Sequence, residues 1–87
     1  MFVRKIRVRR RLASGGVEDC PLAWIDSFAM RNFTNDAVFD DTLPVGDGWM
    51  EAGRRVPLER LRAAMEAWFR RKGYCAGGEM VELEESV

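Results

Sequence analysis

The sequence predicts a small α+β domain with the order strand, helix, acidic loop, short strand or turn, helix, strand. Two observations at the ends of the chain and one near its middle carry that reading. Residues 2–12, FVRKIRVRRRL, and the closing EMVELEESV alternate apolar with charged side chains, the period of a half-buried strand. Between them Val56–Gly73, VPLERLRAAMEAWFRRKG, repeats its apolar residues at helical spacing and is bracketed by Pro57 and Gly73. At 87 residues the chain is read as one domain, 1–87. The terminal strands are expected in one antiparallel sheet, with two helices packed over its apolar face.

In the first strand Phe2, Arg4, Ile6, Val8, Arg10 and Leu12 share one face, and Val3, Lys5, Arg7, Arg9 and Arg11 the other. The first face is mostly apolar and the second basic. Ser14-Gly15-Gly16 ends the strand as a turn. Glu18-Asp19-Cys20-Pro21 reads as a helix entry, because Pro suits a first turn and carboxylates suit the positive end of the helix dipole. Leu22, Ile25, Phe28, Ala29 and Phe33 then follow at helical spacing, with Trp24 at the margin of the stripe. Asn32 and Thr34-Asn35-Asp36 are stop signals, and Ala37-Val38-Phe39 is read as one further short turn capped by Thr34 or Asn35. Asp40–Gly48 is a loop by composition, and Trp49–Val56 a short strand or an irregular entry.

The middle helix has the fullest set of signals. Leu58, Leu61, Met65 and Trp68 form its stripe, widened by Ala64 and Phe69. Arg70-Arg71-Lys72 lies in the last turn, where cations suit the dipole, and Gly73 supplies a left-handed stop. In the last strand Val81, Leu83 and Val87 share one face, while Met80, Glu82, Glu84 and Ser86 share the other. If the terminal strands are neighbours, Arg7, Arg9 and Arg11 lie opposite Glu82 and Glu84, at roughly 0.2–1 kcal/mol per cross-strand pair.

The charges cancel, 14 basic against 14 acidic, but they are laid out in blocks. Residues 1–17 hold six cations and no anion; residues 18–51 hold eight anions and one cation, Arg31. Residues 52–72 hold seven cations against two anions, and residues 73–87 four anions alone. Such blocks either neutralise one another inside the fold or stand on separate faces as a dipolar surface. The opening Met1-Phe2-Val3-Arg4-Lys5 lacks the apolar run of a secretory signal, and nothing approaches the ~20 apolar residues of a membrane span. Cys20 and Cys75, with no C-x-x-C, read as free thiols of a reducing compartment, so the cytoplasm is the expected location.

Most catalytic chemistries find no footing. Without histidine there is no Ser-His-Asp or Cys-His system and no easy proton shuttle near neutrality. Two isolated cysteines cannot build a four-thiolate zinc site. Asp36, Asp40, Asp41, Asp47 and Glu51 do not match the calcium-loop spacing, and Gly46-Asp47-Gly48 is turn chemistry. Cys75 follows three cations that lower a thiol pKa, but also a helix C-terminus, which raises it; a structural thiol is expected. No enzyme activity, metal or cofactor is expected.

The charged groups are therefore the functional candidates. The basic set is Arg7, Arg9 and Arg11 on the first strand, with Arg54, Arg55, Arg62, Arg70, Arg71 and Lys72 around the middle helix. The acidic set is Asp36, Asp40, Asp41 and Asp47. A small regulatory or inhibitory protein that binds a protein partner through these charges is the expected function. The alternative is a nucleic-acid-binding accessory protein using the basic strand face and the Arg-rich helix end. Zero net charge and an isoelectric point near 6.3 count against the alternative. A homodimer is compatible with either reading.

Overall fold

In a computed structural model of the chain, the described residues are 3–31, 34–40 and 57–86. They form five strands and two helices: β1 (Val3–Arg11), β2 (Val17–Asp19), α1 (Leu22–Phe28), β3 (Met30–Arg31), β4 (Asp36–Asp40), α2 (Leu58–Arg71) and β5 (Met80–Glu85). The strands make one antiparallel sheet and the helices pack on one side of it, so the chain is an α+β domain. The sequence readings for Trp49–Val56, for the loop beyond Asp40, and for Phe33 and Val87 lie outside the described residues.

β1 is the hub of the sheet. One edge pairs with β5, with Ile6–Arg11 running against Glu85–Met80. The other edge is shared end to end by β4, against Val3–Arg7, and β2, against Arg9–Arg11. At the seam the Val8 amide donates to the Asn35 carbonyl (3.1 Å), and the Val8 carbonyl accepts from the Cys20 amide (3.2 Å). β3 adds a two-residue pairing beyond β4. The expected pairing of the terminal strands is present, with Arg7 opposite Glu84 and Arg9 opposite Glu82.

The apolar face of the sheet builds the core. Ile6, Val8, Ala37 and Val81 are buried there against Ile25 and Phe28 of α1 and Leu61, Met65 and Phe69 of α2, with Cys20 and Cys75 filling in. Each large apolar side chain so buried contributes about 1.5–3 kcal/mol. The helix stripe read from the sequence is thus core, although Trp68 and Leu58 stop at its border rather than entering it.

The end of α2 is built as the sequence suggests. Gly73 has φ of 79°, the Gly73 amide donates to Arg70 O (3.1 Å) and the Tyr74 amide to Phe69 O (2.8 Å). That pair of bonds is the Schellman arrangement, and its usual apolar contact is present between the Tyr74 and Phe69 rings, 6.1 Å apart.

Three local readings are corrected. Glu18-Asp19 is not a helix entry but part of β2, where ladder bonds to β1 and pairing with its arginines replace interaction with a helix dipole. α1 stops at Phe28 instead of running toward Phe33: Ala29 is extended (φ −146°, ψ 162°), and Met30-Arg31 pairs with Val38-Ala37. Ala37-Val38-Phe39 is strand rather than helical turn, in register with Lys5, Ile6 and Arg4. In each case a free edge of β1 or β4 offers a backbone partner that local propensity does not include. No helix among the described residues is long and apolar enough to cross a membrane.

Candidate charged interface

The outer face of the sheet is a set of cross-strand rows, because directly opposed residues share a face. Arg11 stands between Val17 and Met80, Arg9 between Asp19 and Glu82, and Arg7 between Asp36 and Glu84. The basic central strand is thus flanked on both sides by carboxylates. The ion pairs run diagonally to these rows. Arg7 holds Asp19 with two bonds (3.0 and 2.7 Å), Arg11 holds Glu82 (2.7 Å), Arg9 reaches Glu84 (3.4 Å) and Lys5 reaches Asp36 (3.5 Å). Long side chains on a twisted sheet meet the diagonal neighbour as readily as the opposed one. Four cations of β1 meet four carboxylates, so among the described side chains this face carries no surplus charge.

The remaining basic residues of the sheet are used in the same way. On the helix side Arg4 grips Glu85 (2.8 and 3.0 Å), and Arg31 faces Asp26 at 3.8 Å. Arg10 bonds Glu18, approaches Glu79 (3.7 Å) and lies over the Trp24 ring (4.9 Å), which is itself stacked on Tyr74.

On α2 and at its C-cap the cations divide into two groups. Arg62 is fixed by Glu59 (2.9 Å), Glu66 (2.7 Å) and the Val81 carbonyl (3.3 Å). Arg70 donates to the carbonyls of Ala76 (2.9 Å) and Glu79 (2.6 Å), tying the turn after the helix to its last turn. Both are structural. Arg71 and Lys72 lie over the Trp68 ring at 5.2 and 4.8 Å, while the Trp68 indole donates to Ser27 Oγ (3.0 Å) and is crossed by the Phe28 ring. Arg60 is exposed on the same helix. Among the described residues, Arg60 and Lys72 have no carboxylate partner, whereas every carboxylate whose side chain is described has a cation within ion-pair distance.

Titration follows these contacts. The hydrogen bond from Arg7 holds Asp19 below the usual carboxylate range, and Arg62 does the same for Glu59. Burial pushes Glu66 up, but the Val81 amide with Arg62 and Arg70 outweighs it, so its pKa is lowered. Burial pushes the Cys20 thiol up to about 12 and raises Cys75 despite Arg70 nearby. Neither thiol is an activated nucleophile. Among the described residues no group of three or more metal-ligating side chains converges.

The candidates singled out in the sequence therefore separate. Arg7, Arg9 and Arg11 are engaged by carboxylates of their own chain, and Arg62 and Arg70 are pinned. Arg71 and Lys72 form an aromatic-backed cationic end. Asp36 is 6% exposed and accepts from the Thr34 hydroxyl, so it is a buried anchor rather than a contact surface. Arg54, Arg55, Asp41, Asp47 and the Asp40 side chain lie outside the described residues. The dual role of Glu66, as acceptor for a β5 amide and partner of Arg62, has no sequence signal beyond the four-residue spacing of that helix pair.

Comparison with protein-family models, curated proteins and solved structures finds no match.

Proposed function

We propose that the protein is a non-enzymatic binding protein that engages an acidic surface of a protein partner through the solvent face of α2. The observation that carries this reading is the asymmetry of the charge pairing. Among the described residues the carboxylates are engaged within the chain, while Arg60 on α2 and Lys72 at its C-terminal end keep their full charge for an outside partner, with Arg71 beside them. Arg60 and Arg71 stand three turns apart on one stripe, with the exposed Ala63 and Ala67 between them. A flat surface of small side chains bordered by cations suits close approach of a partner bearing carboxylates, which also steer the encounter.

Nucleic-acid binding is the weaker reading, because the strand face that would track phosphates already meets carboxylates at Arg7, Arg9 and Arg11. The test is recovery from the native cell with wild-type and Arg60→Glu/Lys72→Glu baits over a salt series, with and without nuclease. The expected result is a protein partner held at low salt, indifferent to nuclease and lost with the double reversal. A complex dissolved by nuclease, or one unaffected by the reversal, overturns the proposal.

A further inference from the structure

Among the described residues β5 pairs with β1 alone, so its far side is an edge of the sheet, and its main-chain groups are not treated alike along its length. The Ser86 amide donates inward to Lys5 O (3.0 Å), so the even-numbered residues of β5 bond β1 and the odd-numbered ones, Val81, Leu83 and Glu85, point outward. At Val81 the outward groups are already satisfied by α2: Glu66 accepts from the amide (2.9 Å) and Arg62 donates to the carbonyl (3.3 Å). This side-chain pair takes the place of a neighbouring strand at that one residue. At Leu83 and Glu85 no such substitute is present among the described residues.

We infer that Leu83–Glu85 is a strand-addition site for an extended, basic segment of another protein. The occupant follows from charge. A residue added opposite Glu84 lies on the outer face beside Glu84 and Glu82, as Arg7 and Arg9 of β1 do on the inner side of the same strand. The Glu84 side chain is 73% exposed and, among the described residues, held by Arg9 alone at 3.4 Å, so it keeps acceptor capacity for a further cation. A basic segment continues the alternation of acidic, basic and acidic strands already present across the sheet. A second copy of the chain does not fit, because β5 against β5 brings glutamates together and like charges opposed are destabilising. The clamp at Val81 closes the N-terminal end of the site and limits the register. The proposal is separate from the α2 reading: it concerns a different surface and the opposite charge, and either can fail alone.

The test uses isotope-labelled protein and a synthetic peptide of alternating arginine and valine, followed by amide shifts and hydrogen exchange. The expected result is perturbation and slowed exchange at the Leu83 and Glu85 amides, with Val81 little changed. Affinity should fall several-fold with Glu84→Lys, and binding should vanish when alternate peptide nitrogens are N-methylated, which blocks one edge of the added strand without altering the protein. No binding, equal binding of the N-methylated peptide, equal binding of a glutamate-for-arginine peptide, or perturbation centred on α2 overturns the inference. So does self-association of the protein alone that perturbs the same two amides.

Discussion

Glu66 joins α2 to β5: it takes a β5 amide and two arginines while only 19% of its side chain is exposed. Glu66→Gln keeps the shape but weakens three charge-assisted bonds, and it should cost about 1–2 kcal/mol at neutral pH. Because its folded pKa is lowered, the stabilisation is present above the ordinary glutamate value and is lost as pH falls through the folded one. Urea denaturation should therefore show a gap between wild type and variant that is full at pH 7 and closes in acid. A gap independent of pH would show that the carboxylate charge is not what matters. Asp19 has the same sign through Arg7, but it is exposed and its share is small. The two thiols follow from burial alone. Folded protein at pH 8 should resist alkylation at both Cys20 and Cys75 until it is unfolded; rapid labelling of the native state would contradict their placement in the core.

The elements differ in how much of their structure was legible. α2 carries its own start, stripe and stop, and Leu61, Met65, Phe69 and Gly73 take the places their spacing predicts. Gly73→Ala meets no neighbouring atom, so its cost is conformational only, about 1 kcal/mol, read as a lower urea midpoint with an unchanged slope. β1 and β5 were equally legible, because alternation fixes their faces and opposite charge their partnership. α1 was not. Leu22, Ile25, Phe28 and Ala29 suit a helix, yet the chain leaves it at Ala29 because Met30-Arg31 finds a ladder along β4. Glu18-Asp19 and Ala37-Val38-Phe39 depart from their local propensity for the same reason: both pair with β1, and a tertiary backbone partner has no local signature. Phe69→Ala, by contrast, removes a ring at the meeting of α2, Trp24 and Tyr74 and should cost about 3–5 kcal/mol, enough to leave a domain of this size largely unfolded.

For the molecule as a whole, the charge blocks were visible in the sequence, but what they do was open between mutual neutralisation and separate faces. The sheet settles most of that question by geometry. A basic strand placed between acidic ones consumes its own charge, and Arg7, Arg9 and Arg11 cease to be the strongest binding candidates. Which cations escape this pairing could not be read from composition, since Arg62 and Arg70 look no different in sequence from Arg60 and Lys72. The difference lies in what α2 faces. One side looks toward β5 and the turn after the helix, where carbonyls and carboxylates wait, and the other toward solvent. This division of charge, between a sheet that neutralises itself and an α2 whose Arg60 and adjoining Lys72 meet no carboxylate, holds among the described residues. Its most direct test is salt-dependent retention on immobilised polyglutamate of three proteins: wild type, Arg60→Glu/Lys72→Glu, and the pair swap Arg11→Glu/Glu82→Arg. Wild type and the swapped pair should be retained alike and the α2 variant should pass through; loss of retention in the swapped pair with the α2 variant still bound would show that the sheet, not α2, presents the available cations.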